Sequence, residues 1–101
     1  MARLIVIART LPDGQALIIG GRDAWALLEL LKAEANGCTP IDQPGPRWSG
    51  YVFNLKRKHG LAIDTVYENH GGQFAGSHAR YVLHSPMEII SRSDMAELEA
   101  A

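Results

Sequence analysis

The side chains with the clearest capacity for chemistry are four consecutive basic residues, Lys56, Arg57, Lys58 and His59. Lysine and arginine are the side chains that neutralise phosphate groups of nucleic acids. The same residues would also be favourable at the C-terminus of a helix, where cations interact well with the helix dipole. Periodicity alone favours this second, purely structural interpretation.

The positive charge of the chain is concentrated around this cluster. The 101 residues carry a net charge of −1, but residues 44–84 contain five Lys or Arg against two Asp or Glu. Residues 85–101 contain one Lys or Arg against four Asp or Glu, so an acidic end balances a basic middle. Screening acts over about 8–10 Å, and a local basic surface can therefore attract an anionic partner although the whole chain is almost neutral.

Other reactive residue types do not form a recognisable site. His70, His78 and His84 with Cys38 are metal-ligating types, but zinc sites use close ligand pairs, and there is only one cysteine. Cys38 has no orienting acid–base partner at a recognisable spacing, and no glycine-rich phosphate loop is present. The sequence therefore predicts no metal site, no cofactor and no enzymatic activity.

The basic cluster ends a segment with helical periodicity over residues 46–59. At 3.6 residues per turn, Trp48, Tyr51, Val52 and Leu55 fall on one side and predict a core face. The opposite side and the flanks carry hydrogen-bond donors and no acidic residue from this segment. The pattern thus predicts a helix that packs inward and offers cations outward.

Three further elements, two strands and a helix, are expected before this helix. Residues 3–9 and 15–19 predict two short strands around the turn signal Pro12-Asp13-Gly14. The first strand lacks alternation, which predicts that it extends a sheet or pairs across a homodimer. Residues 24–36 predict a helix with Asp23 as N-cap and Gly37 as its stop.

The apolar stripe expected on this first helix comprises Ala24, Leu27, Leu28, Leu31 and Ala35. After it, Thr39-Pro40 predicts one short helical turn.

Residues 61–68 and 78–84 predict two strands that are joined by the glycine-rich loop 70–77. Residues 87–90 predict another short strand, and residues 93–101 a frayed helix or a loose acidic tail. We predict an N-terminal β-hairpin at 1–20, a central domain at 21–85, and a strand with an acidic tail at 86–101.

The second half resembles the small winged helix proteins of bacteria and their phages. The pattern R-x-x-x-x-x-x-L-R-x-x-G-x-x-I-x-T, followed by a hairpin that closes on A-R-Y-x-L, is matched by Arg47, Leu55, Arg57, Gly60, Ile63, Thr65, Ala79, Arg80, Tyr81 and Leu83. The resemblance covers about residues 20–85. It implies an α+β fold, a winged helix-turn-helix with an N-terminal β-hairpin and a C-terminal β-hairpin wing.

The resemblance also implies that the second helix enters the major groove of DNA. Arg57, Asn54 and Ser49 would then reach base edges. Phosphates would be contacted by Lys56, Lys58 and Arg47.

In the wing, Gln73 would lie beside the minor groove or the backbone. Arg80 is expected to face outward, toward DNA or into a salt bridge with Asp64 or Glu68.

The functional prediction is a cytoplasmic DNA-binding protein, a small transcriptional regulator that binds double-stranded DNA. A homodimer is one of the two alternatives given above for its apolar first strand. No stretch reaches the roughly 18 apolar residues of a membrane span, and a single cysteine suits a reducing compartment. The alternative is a winged helix module that binds a protein partner without DNA. Its motivation is the near-neutral charge, the acidic tail and Phe53 on the outer helix face.

Overall fold

The computed structural model of the chain describes residues 4–45, 47–70 and 76–94. Their elements follow in the order β1 Leu4–Thr10, β2 Leu17–Gly20, α1 Gly21–Ala33, a 3₁₀ turn Glu34–Asn36, α2 Trp48–His59, β3 Ile63–His70, β4 Gly76–Leu83 and β5 Met87–Asp94. Two helices combined with two antiparallel sheets confirm the predicted α+β class.

The first sheet has the order β2-β1-β5, with β1 in the centre. The predicted N-terminal hairpin is confirmed, because β1 pairs antiparallel with β2, as in Val6 opposite Ile19. On its other edge β1 pairs with β5, from Leu4 opposite Asp94 to Thr10 opposite Met87. Of the two explanations for the apolar first strand, extension of the sheet is therefore the one observed. Both edges of β1 are used within the chain, so it has no edge left for a second copy.

The first and the last of the described strands thus lie side by side in one sheet. Residues predicted as a separate hairpin (1–20) and as a C-terminal segment (86–101) contribute neighbouring strands to it. The strand predicted at 87–90 continues to Asp94, and this contradicts a helix or loose tail at Ser93 and Asp94. Residues 95–101 of the predicted tail lie outside the described residues.

Helix α1 begins earlier than predicted. Its N-cap is Gly20, which provides no side-chain cap, and the predicted cap Asp23 lies inside the first turn. A carboxylate there still favours the helix dipole. Its side chain also accepts a hydrogen bond from Asn54 of α2 at 3.3 Å, an interaction across elements that no local capping rule could indicate.

The buried side of α1 differs from the predicted stripe. The fully buried residues are Ala24, Ala26, Leu27 and Leu30. The predicted Leu28 and Leu31 are only half-buried, and Ala35 is exposed. The reason is that α1 packs against β1 and β2 as well as against α2 and β4. Packing against several elements buries a wider surface of α1, in which a small residue such as Ala26 fits.

The end of α1 is joined to the β3–β4 hairpin, which we call the wing. Gly37 follows the 3₁₀ turn with a φ of 70° and a ψ of −176°, a conformation that is almost restricted to glycine. Directly after it, Cys38 and Tyr81 exchange two backbone hydrogen bonds of 2.8 Å each. The segment after α1 therefore adds one bridge to the wing and fixes the wing against the helices.

The short helical turn predicted at Thr39-Pro40 is present. The Thr39 hydroxyl accepts a hydrogen bond from the amide of Asp42 (3.0 Å), and the Gln43 side-chain oxygen accepts one from the amide of Thr39 (2.9 Å). This is a reciprocal arrangement of the capping-box kind. It holds the connection between the two helices in one conformation.

Helix α2 presents the predicted face to the core. Trp48, Tyr51, Val52 and Leu55 are all buried. The helix begins at Trp48, with Arg47 as N-cap, and not at Pro46, which lies outside the described residues. Gly60 ends it in the left-handed conformation, a common helix stop because glycine has no Cβ.

The wing has two different faces. Residues opposite each other in an antiparallel pair share a face, so Thr65 and Tyr81 lie on one side while Val66 and Arg80 lie on the other. The tip, residues 71–75, lies outside the described residues.

On the second face of the wing, Glu68 accepts hydrogen bonds from Arg80 at 2.7 Å and interacts with His78 at 3.0 Å. Arg80 also donates to the backbone oxygen of Asn36 at 2.7 Å. The hydrogen bond from Arg80 holds the pKa of Glu68 below its ordinary value, and His78 acts in the same direction. These contacts tie the wing to the end of α1.

Replacement of Gly37 by alanine is expected to destabilise the protein by about 2–4 kcal/mol, from backbone strain and overpacking. A Cβ at this position would lie 2.5 Å from the Tyr81 backbone oxygen, the acceptor in the bridge to Cys38. Gly60→Ala is the matched control, because Gly60 also has a positive φ but its Cβ would meet nothing within 4 Å. It should cost about 1–2 kcal/mol. Urea unfolding of both variants tests this, and equal losses would contradict it.

Glu68→Gln is expected to lower the free energy of unfolding at neutral pH. In acid the variant and the unchanged protein should have the same free energy of unfolding. Because the folded-state pKa of Glu68 is lowered, its contribution is present above the ordinary carboxyl value of about 4.3 and is lost as pH falls through the folded-state pKa. Urea midpoints between pH 7 and pH 3 measure this. Glu34→Gln, which removes an exposed carboxylate without an ion-pair partner in the described chain, should show no such convergence.

Candidate nucleic-acid interface

The orientation of α2 is set by an aromatic cluster beneath it. Trp48 stacks on Tyr81 of the wing at 5.8 Å with an interplanar angle of 16°, and it contacts Trp25 of α1 at 5.3 Å. Tyr51 meets both tryptophans edge-on at 6.2 Å. The indole nitrogen of Trp48 also donates to the backbone oxygen of Gln43 at 2.6 Å. These contacts restrain the rotation of α2 about its axis, and so they determine which residues face solvent.

The outward surface of α2 carries exposed cations. Arg47, Lys56, Arg57 and Lys58 are all exposed. Within the described part of the chain, no carboxylate lies within 4.0 Å of any of these four side chains. By contrast, Arg9 pairs with Glu88, Arg80 with Glu68, and His84 with Asp64 at 2.8 Å. The cations of α2 are thus available to an external anion.

Asn54 is not as free as the helix periodicity predicted. It is half-buried, and its amide donates to Asp23 of α1 at 3.3 Å. Helix α2 itself has no acid on its outer side, but the fold supplies one from the neighbouring helix. The bond to Asp23 uses one of the two amide hydrogens of Asn54 and leaves the other hydrogen and the carbonyl oxygen.

Ser49 and Phe53 complete the outer surface of α2, and both are exposed. The Arg57 guanidinium lies over the Phe53 ring, 5.7 Å from its centroid, in the one-turn spacing that brings side chains together on a helix. This cation–π contact limits the directions that the Arg57 side chain can take. The contact also explains why a phenylalanine can lie exposed on the outer face, since its ring packs against the Arg57 guanidinium.

Arg80 does not belong to this surface. It lies on the second face of the wing, opposite the face that carries Tyr81, and it binds Glu68 and the Asn36 backbone. Of the alternatives open from the sequence, the salt bridge to Glu68 is the one observed. Register decides this, because Arg80 pairs with Val66 and therefore lies beside Glu68 on the same face.

Gln73, the remaining predicted contact, lies outside the described residues. The structure thus brings together Arg47, Ser49, Lys56, Arg57 and Lys58, keeps Asn54 at their edge, and separates Arg80 from them.

A groove between α2 and the first face of the wing adds residues that the sequence pattern did not indicate as contacts. It has a volume of about 350 Å³. Phe53, Lys56 and Arg57 line it from α2, and Thr65 and Tyr67 line it from β3. We call it the α2–wing groove. Tyr67 is two residues after Thr65 on the same strand, so strand alternation indicates that the two share a face. Which face meets α2 follows only from the register of the wing.

Two buried titratable groups have raised pKa values. Burial, followed by the charge of Glu29, raises the pKa of the Cys38 thiol to about 11, so the thiol stays protonated near neutral pH. Burial also raises the pKa of Tyr81, with Tyr67 as a second cause. Among the described residues, no three His, Cys, Asp or Glu side chains cluster as a metal site would require. The helices described here are too short or too polar to cross a bilayer.

Comparison with known proteins identifies the fold family. No curated protein and no solved structure gives a significant match to the chain. The winged helix domain family matches residues 16–93. This match begins just before β2, includes both helices and the wing, and ends within β5. It covers well over half of the chain, and the order of helices and wing described above agrees with it. The chain therefore belongs to the winged helix domain family.

Proposed function

We propose that this protein binds double-stranded DNA through the outer surface of α2, which enters the major groove. The observation that carries the proposal is the set of four exposed cations on one helix, Arg47, Lys56, Arg57 and Lys58, without a carboxylate partner in the described residues. Such cations neutralise phosphates and release counterions. The helix that carries them packs on an aromatic cluster, which keeps these cations on the side that faces solvent.

Within this proposal the side chains divide into two groups. Arg57 and Ser49 reach base edges, and arginine has the geometry to bind guanine with two hydrogen bonds. Asn54 contacts adenine through its carbonyl oxygen and the amide hydrogen that is not donated to Asp23. Lys56, Lys58 and Arg47 contact phosphates, which fix the position of the protein on DNA but do not select a sequence. Gln73 at the wing tip remains a further proposed contact.

The wider role that we propose is that of a small transcriptional regulator in the cytoplasm, a binding protein and not an enzyme. Two-fold DNA sites are often occupied by dimers. A homodimer of this chain would have to use a surface other than the edges of β1, because β2 and β5 occupy both. The outer edges of β2 and β5 are the unpaired strand edges of that sheet among the described strands.

A second candidate function is a winged helix that binds a protein partner. It is favoured by the exposure of two aromatic residues beside the same groove, Phe53 at 59% and Tyr67 at 78%. Exposed aromatics are enriched in protein interfaces. The absence of any DNA binding at low salt, together with capture of a specific protein, would favour this candidate over the first.

The combined variant Arg57→Ala/Lys58→Ala is expected to weaken binding to duplex DNA by about tenfold or more at physiological salt. It should also reduce the slope of log K against log salt by about one for each phosphate that the variant no longer neutralises. Fluorescence anisotropy with a labelled duplex of mixed sequence, titrated at several salt concentrations, measures both quantities.

The matched control is Lys32→Ala/Arg92→Ala, which removes the same charge from exposed positions on α1 and β5. If DNA binding depends on α2, this control keeps most of the affinity and slope. Equal losses in the two double variants would mean that only overall charge matters. An unchanged affinity in the α2 variant would refute the proposal.

A further inference from the structure

The α2–wing groove combines aromatic surface with positive charge. Tyr67 is the most exposed large hydrophobic side chain in the described part of the chain, and Phe53 faces the same groove from α2. Lys56 and Arg57 lie beside them without ion-pair partners among the described residues. The groove volume of about 350 Å³ is at the lower end of the range for sites that hold small organic groups, roughly 300–1,000 Å³.

We propose that this groove binds an unpaired nucleotide, so that the preferred ligand is a duplex with a single-stranded tail. The inference rests on the proposed function, because both require nucleic acid against α2. The inference adds single-stranded nucleic acid as a ligand, whereas insertion of α2 into a regular duplex needs no unpaired nucleotide.

The aromatic residues argue for a base with a free face. In a regular duplex both faces of each base are covered by its neighbours in the stack. An unpaired base can place its face on a tyrosine or phenylalanine ring, and this kind of stacking does not depend on sequence. Tyr67 projects from a paired strand of the wing and presents such a ring to the groove.

The charges argue against a protein segment in the same place. The centres of protein interfaces are depleted of charged residues, lysine in particular. Here Lys56 borders the aromatic surface, and no carboxylate from the described residues lines the groove. A strand of nucleic acid matches both features, since its bases are aromatic and its backbone is anionic. The hydroxyls of Ser49 and Thr65 also line the groove and can donate to or accept from a base edge.

The test compares three probes of the same sequence: a blunt duplex, the duplex with a short thymine tail, and the tail strand alone. Affinities are measured by anisotropy at physiological salt. A 2-aminopurine placed at the first tail position reports stacking directly, because its fluorescence is quenched when it stacks on an aromatic ring. We expect the tailed duplex to bind about tenfold more tightly than the blunt duplex, with quenching of the 2-aminopurine.

Three substitutions in β3 distinguish the loss of base stacking from a general disturbance of the wing structure. Tyr67→Thr is expected to abolish the advantage of the tail and the quenching, while binding to the blunt duplex stays unchanged. Tyr67→Phe keeps the ring and should keep both. Val66→Thr is the matched control, because it introduces the same residue at the adjacent exposed position on the other face of β3. It should behave as the unchanged protein.

The outcomes distinguish the inference from the proposed function. Equal affinity for tailed and blunt duplexes, with both weakened by Arg57→Ala/Lys58→Ala, would overturn the inference and leave duplex binding intact. A tail advantage that survives Tyr67→Thr would also overturn it. Failure of all probes to bind at low salt would refute both and point to a protein partner.

Discussion

The stacking of Trp48 on Tyr81 is the contact on which the arrangement of this domain depends. It joins the first turn of α2 to the wing, and Trp25 of α1 packs on the same indole. The backbone of Tyr81 simultaneously bridges to Cys38, directly after α1. One side chain and one backbone segment thus connect α1, α2 and the wing. Because Trp48 contacts both α1 and the wing, these contacts also orient the outward surface of α2.

The charged side chains of the domain fall into two groups, those that are paired within the fold and those that are not. On the second face of the wing, Arg80 is neutralised by Glu68 and by the backbone of Asn36. On the outer side of α2, Arg57 has only the ring of Phe53 beneath it among the described residues. Paired charges therefore hold elements together, and unpaired charges remain for a ligand. The net charge of the whole chain, −1, does not show this difference between paired and unpaired cations. The electrostatic potential at a surface depends on charges within about a Debye length.

Local features of this chain were predictable, and features that depend on distant pairing were not. Trp48, Tyr51, Val52 and Leu55 were correctly assigned to the core because helical periodicity is contained within one element. The fate of Arg80 depends on the register of β3 against β4, which brings Glu68 beside it. Local capping rules assign Asp23 as a cap, but it interacts with Asn54 of another helix. The exposed position of Tyr67 likewise follows from the register and from the position of α2.

The central position of β1 has a consequence for biosynthesis. β1 and β2 are joined by a short turn and can pair early, whereas β1 and β5 are separated by almost the whole chain. Pairing over such a separation is slow, because a long loop must be closed first. During translation α1, α2 and the wing therefore leave the ribosome while one edge of β1 is still open. An open apolar strand edge favours association between nascent chains, so the pairing of β5 with β1 protects the newly made protein from aggregation.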